Sequence, residues 1–103
     1  MSRSLNLMEA KIGDVVNKLM NELKDYGQVE VEDYGSEKVI MVRLAEDLSV
    51  YVSILCEDNE CSVEYAVGDD NFAIMPRHLN LMDKAVSIMK KVNEELVKMG
   101  VVK

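Results

Sequence analysis

Val50-Tyr51-Val52-Ser53-Ile54-Leu55-Cys56, then Glu57-Asp58-Asn59-Glu60, then Cys61-Ser62-Val63-Glu64-Tyr65-Ala66-Val67 is the stretch that decides the fold. Two runs alternate with period two around a polar loop, the pattern of a half-buried antiparallel hairpin. If Cys56 faces Cys61, the same register sets Ile54 against Val63, Val52 against Tyr65 and Val50 against Val67, all on one face. A slip of one residue would turn one apolar set to water, so the register is strongly specified. The opposite face then carries Tyr51, Ser53, Leu55, Ser62, Glu64 and Ala66, a mixed surface that tolerates partial solvation.

Upstream, Ile40, Val42 and Leu44 join the apolar face if Ala45-Glu46-Asp47 is a three-residue loop pairing Leu44 with Leu48 and Val42 with Val50. A two-residue loop would turn Arg43 inward. Val29-Glu30-Val31-Glu32 reads as a first strand, ended by the turn signal Tyr34-Gly35-Ser36. A short fifth strand at Phe72 to Met75 is open, stopped by Pro76.

Two amphipathic helices enclose these strands. In the first, Leu5, Met8, Ile12, Val15, Val16, Leu19, Leu23 and Tyr26 recur at three- and four-residue steps before Gly27. In the second, Leu81 or Met82, Ala85, Ile88, Met89, Val92, Leu96 and Met99 do the same before Gly100. Each opens with an Asn three residues before an acid, Asn6 with Glu9 and Asn80 with Asp83, which predicts Asn N-caps. Gly13 inside the first helix is either a close approach to a neighbour or a tolerated cost. The expected architecture is α+β: an antiparallel sheet of four or five strands between an N-terminal and a C-terminal helix, both on one sheet face.

At 103 residues and 49% hydrophobic the chain suits a single domain, residues 1–103, with one modest core. It contains no run approaching the roughly 20 apolar residues of a membrane helix and no signal-peptide pattern, so the expected setting is soluble and cytoplasmic. Only the first four and last three residues read as loose.

Charge is unevenly distributed. Residues 1–27 balance four bases with four acids, residues 28–75 carry two bases against twelve acids, and residues 76–103 carry six bases against three acids. The acidic sheet region argues against contact with phosphate backbones and favours partners with basic surfaces. Lys84, Lys90, Lys91 and Lys98 form the one candidate basic patch, on a helix whose ordinary reading is a solvated face.

Catalytic constellations are not found. Cys56 and Cys61 are spaced C-x4-C, unlike a zinc pair, and are read first as small buried thiols, then as a cross-strand disulfide, and last as a metal or redox site. A reducing cytosol favours thiols; a cytosolic disulfide would point to a thermophile. His78, beside Arg77, is the single histidine, expected at the surface or at a helix cap. Glu57-Asp58-Asn59-Glu60 and Gly68-Asp69-Asp70-Asn71 lack calcium-loop spacing and read as solvated turns. No P-loop, dinucleotide fingerprint or nucleophile elbow occurs, so no cofactor, metal or catalytic residue is expected. The eight Met residues fit an irregular core or an adaptable contact surface.

Met41, Tyr51, Leu55 and Ala66 on the outer sheet face, or Leu7 and Leu81 off the helix stripes, are the candidate interface residues. The order of elements, a leading helix, strands such as Val29-Glu30-Val31-Glu32, Val42-Arg43-Leu44 and Val50-Tyr51-Val52-Ser53-Ile54, and a helix opening Leu79-Asn80-Leu81-Met82, resembles the type III secretion chaperone-like fold over about residues 5–97. That resemblance implies a small acidic homodimer binding extended segments of partner proteins, though the family adds strands and a helix beyond this pattern. It transfers no site residue. The expected function is therefore a non-enzymatic protein-interaction domain, homodimeric and partner-binding. The alternatives are a nucleic-acid-associated protein using the basic helix and a ligand-binding domain or small enzyme with a pocket between helices and sheet.

Overall fold

The computed structural model describes the backbone of residues 2–58 and 60–102 and the side chains of residues 12–58 and 60–102. Helix α1 (Ser2–Leu23) leads into four strands, β1 (Val29–Asp33), β2 (Glu37–Ala45), β3 (Leu48–Glu57) and β4 (Glu60–Gly68); a 3₁₀ helix (Pro76–Leu81) then runs into α2 (Met82–Lys98). The strands form one antiparallel meander in the order β1-β2-β3-β4. Phe72 to Met75 is not a strand, so the sheet stops at four. Asp69 explains this: its carboxylate accepts the backbone N–H groups of Asn71 and Ala73, which curls the chain away from β4.

The hairpin register is the one the alternation specifies, with Cys56 opposite Cys61, Ile54 opposite Val63, Val52 opposite Tyr65 and Val50 opposite Val67. The β2–β3 connection differs from expectation. Ala45 pairs with Leu48 around a two-residue turn, Glu46-Asp47, and the register shifts between Arg43 and Ala45. A bulge at Leu44 thus absorbs the extra residue, so Val42 still meets Val50 and Arg43 stays exposed.

Both helices pack on one sheet face. Ile12, Val15, Val16, Leu19 and Leu23 of α1 and Ala85, Ile88, Val92 and Leu96 of α2 meet Ile40, Val42, Val50, Val52 and Ile54 in one core cluster. Leu5 and Met8, expected on the α1 stripe, and Leu7 lie outside the described side chains. Tyr26 lies past the end of α1 but still packs against the core.

The Asn caps are corrected. Backbone helix begins at Ser2, four residues before Asn6. At the other end Leu81 is the N-cap of α2 and makes no side-chain cap bond. Asn80 is not needed there, because Pro76 starts a 3₁₀ turn that continues into α2, leaving no isolated helix start with orphan N–H groups. Gly100, at φ 74°, closes α2 as expected, with the Gly100 and Val101 N–H groups donating to the carbonyls of Val97 and Leu96. That closure buries Val101 in the core, so the tail is better anchored than its position suggested.

Gly13 is surrounded by open space: a Cβ there would meet nothing within 4 Å, which leaves the tolerated-cost reading. Among the described residues no helix is long and apolar enough to cross a membrane.

Candidate functional site

With both helices on the inner face, the strand pairing defines the outer face residue by residue. One row across the sheet is Glu30, Met41, Tyr51 and Ala66; the next is Glu32, Val39, Ser53 and Glu64; the third is Glu37, Leu55 and Ser62. Met41, Tyr51, Leu55 and Ala66 therefore share one surface, each half-buried, and Val39 joins them. The apolar residues concentrate on the two central strands, with Glu30 and Glu32 on one flank and Glu64 on the other. Glu37 lies at the near end, where its carboxylate accepts the Ser53 hydroxyl at 2.5 Å.

Phe72 completes the surface and was not foreseen from sequence. Its ring meets Tyr51 edge-on, with centroids 5.1 Å apart. The loop that carries it is built from Asp69: the Asp69 N–H donates to the Ala73 carbonyl, the Phe72 N–H donates to the Asp69 carbonyl, and the carboxylate takes the two further N–H groups already described. Those bonds hold the Asp69 carboxyl below its ordinary pKa. They also hold Phe72 at φ 60°, a left-handed conformation costing about 1–2 kcal/mol for a residue with a Cβ. Gly68 permits the fold-back, since a Cβ there would overlap the backbone of Phe72 and Ala73. The result is an aromatic residue 61% exposed at the rim of the outer face. Between Phe72, Tyr51, Val39, Glu37 and Glu64 lies a shallow notch of about 250 Å³.

His78 is not a surface residue: it is 2% exposed and caps the 3₁₀ turn. Its Nδ1 accepts the Met75 backbone N–H at 2.9 Å, so Nε2 carries the ring hydrogen and donates to Asp47 Oδ1 at 3.0 Å. Arg77 binds the other oxygen of the same carboxylate. With both nitrogens engaged, the ring has no free lone pair for a substrate proton. The trio ties the β2–β3 turn to the segment entering α2. The Arg77 guanidinium first, and then His78, pull the Asp47 carboxyl down to about 2. A carboxyl lowered by folding stabilises the fold above its unfolded value near 4, and that contribution disappears as pH falls from about 4 to about 2. Asp47→Asn should accordingly lower the urea midpoint near neutral pH, with the gap to wild type closing below about pH 3. An equal gap at every pH would mean that packing, not charge, joins these groups.

Lys84, Lys91 and Lys98 follow one another at two-turn intervals on α2, so they share a helix face, and Lys90 lies apart. Glu95 falls within that row. It pairs with Lys18 of α1 at 3.3 Å and Lys98 at 3.8 Å, and its carboxyl is lowered chiefly by Lys18. The basic patch is thus interrupted by its own counter-ion, which weakens it as a phosphate-binding surface.

Cys56 and Cys61 are joined as a disulfide across the hairpin, with Cα atoms 4.1 Å apart, on the inner face beside the core. Among the described residues no group of three or more His, Cys, Asp or Glu side chains is placed to hold a metal. A groove of about 390 Å³ between Tyr65 and Met89, Lys90, Asn93 and Glu94 is open to solvent. The buried Tyr65 hydroxyl has no hydrogen-bond partner among the described residues, and burial raises its pKa.

Comparison with protein-family models, curated proteins and solved structures finds no match to this chain.

Proposed function

We propose that this chain is a non-enzymatic protein-interaction domain whose contact surface is the outer face of the sheet. The observation that carries the reading is that neither helix covers this face, yet Val39, Met41, Tyr51, Leu55 and Ala66 are gathered on it beneath an exposed Phe72. Single exposed apolar residues need no explanation; a contiguous set rimmed by charge is the composition of a contact surface. The backbone strain at Phe72 adds to this, because a left-handed conformation is held at a residue whose ring, although it touches Tyr51, stays 61% exposed. The pattern resemblance to the type III secretion chaperone-like fold points to the same class of activity.

Tyr51→Glu and Leu55→Glu should leave the circular dichroism spectrum and cooperative unfolding intact. Each should reduce the assembly formed by wild type, whether a light-scattering mass about twice the 11.6 kDa chain or a complex with a second protein. Assembly unaffected by both substitutions would move the contact to the helices or a strand edge and defeat this reading.

A further inference from the structure

The two sides of the outer face carry the same sign of charge. Glu30 and Glu32 line the β1 side and Glu64 the β4 side, Glu37 closes one end, and Glu57 and Glu60 face each other across the hairpin beyond Leu55. Glu30, Glu32, Glu57, Glu60 and Glu64 are all exposed, and among the described residues of this face Arg43, at the opposite end, is the one base. Two copies stacked through this face would bring these carboxylates together as the apolar centres met, which costs free energy wherever they are desolvated.

Geometry narrows the occupant further. Neighbouring strands lie about 4.8 Å apart, so an apolar stripe on β2 and β3 is on the order of 10 Å wide, with its acidic flanks about one strand further out on either side. An α-helix with its side chains is about 10–12 Å across, and four strand residues, from the Met41–Tyr51 row to the Glu37–Leu55 row, span about 13 Å, or two to three helical turns. A helix lying along the stripe would set its apolar face on Val39, Met41, Tyr51 and Leu55. Flanking cations would reach Glu30 and Glu32 on one side and Glu64 on the other. The notch between Tyr51, Phe72, Glu37 and Glu64 offers two carboxylates and aromatic rings, a combination suited to one Lys or Arg side chain.

We infer that the outer sheet face docks a basic amphipathic helix of a partner protein, its apolar stripe on Val39, Met41, Tyr51 and Leu55 and its flanking Lys or Arg residues against Glu30, Glu32, Glu37 and Glu64. This rests on the outer face being the contact surface, and it names what that surface takes.

The test uses a fluorescent synthetic peptide of leucine and lysine, about 14 residues long and patterned as an amphipathic helix, with a leucine–glutamate peptide of the same pattern as control. Anisotropy should show the lysine peptide binding, the glutamate peptide not binding, and affinity falling as salt rises. Glu30→Lys with Glu64→Lys should weaken binding about tenfold or more, whereas Glu46→Lys with Glu94→Lys, an equal charge change away from the face, should leave it within about twofold. Leu55→Glu is decisive because it adds an acid: mere charge attraction would tighten binding, while docking on the stripe requires it to weaken. Equal losses from both double reversals, or tighter binding by Leu55→Glu, would overturn the inference. If neither peptide binds and light scattering gives a dimer that Leu55→Glu dissociates, the occupant is a second copy; the inference then fails and the outer-face reading stands. If Tyr51→Glu and Leu55→Glu change neither binding nor assembly, both fail.

Discussion

Ile54→Ala should lower the unfolding free energy by about 2–5 kcal/mol, a large part of the roughly 5–15 kcal/mol available to a domain of this size. Ile54 is fully buried on β3 and belongs to the single core shared by both helices, so truncation leaves a cavity that neither the sheet nor the helices can close without distortion. Its neighbour provides the control. Ser53 points to the outer face, where its hydroxyl donates to Glu37, so Ser53→Ala should cost only about 1 kcal/mol for one hydrogen bond to a charged acceptor at a half-open site. Urea unfolding of both variants checks the alternation directly. Similar losses at the two positions would mean that the sheet faces are assigned wrongly, and the docking surface would fall with them.

Gly27→Ala and Gly13→Ala should move stability in opposite directions. A Cβ on Gly27 would overlap the carbonyl oxygen of Arg43, in the stretch where the Arg43 N–H donates to the Gln28 carbonyl at 2.9 Å. Backbone atoms on both sides leave no flexible side chain to yield. The expected cost is about 2–4 kcal/mol, through displacement of β1 from the sheet edge. Gly13 has nothing near its missing Cβ and lies inside α1, so Gly13→Ala should stabilise by about 0.5–1 kcal/mol by restricting the unfolded chain and favouring helix. Thermal midpoints separate the cases. A stabilised Gly27→Ala would disprove the close approach of the α1–β1 connection to β2.

Much of the architecture follows from short-range pattern. Period-two alternation from Val50 to Val67 fixes which residues face inward, because a one-residue slip would expose a whole apolar set. Cys56 opposite Cys61 is a consequence of that register, as is the sharing of one outer face by Tyr51, Leu55 and Ala66. Three- and four-residue steps from Ile12 to Leu23 and from Ala85 to Leu96 fix the helix stripes in the same way. Of the acidic flanks only Glu64 is placed on the outer face from sequence; Glu30, Glu32 and Glu37 join it through the pairing of β1 with β2 and of β2 with β3.

What escaped the sequence depends on groups distant along the chain or on local backbone geometry with no periodic signal. The β2–β3 loop was misjudged because a bulge at Leu44 keeps Val42 in phase with a shorter turn, and alternation alone cannot distinguish the two. Asn80 looked like an N-cap because local spacing cannot show that Pro76 and His78 have already begun the helical path. His78 reads from sequence as a surface or capping residue; the cap is observed, but its burial could not be read because its partner, Asp47, is 31 residues away and becomes a neighbour only when the β2–β3 turn meets the strap entering α2. Sequence leaves open whether Phe72 belongs to a short strand, and the hydrogen bonds around Asp69 turn it back over Tyr51. Periodic burial thus determined the β3–β4 register and the two faces of the central strands, since every residue in a run obeys the same geometric repeat. Tertiary structure alone decided where the connecting segments lie, because their energies come from single contacts between positions that no local pattern relates.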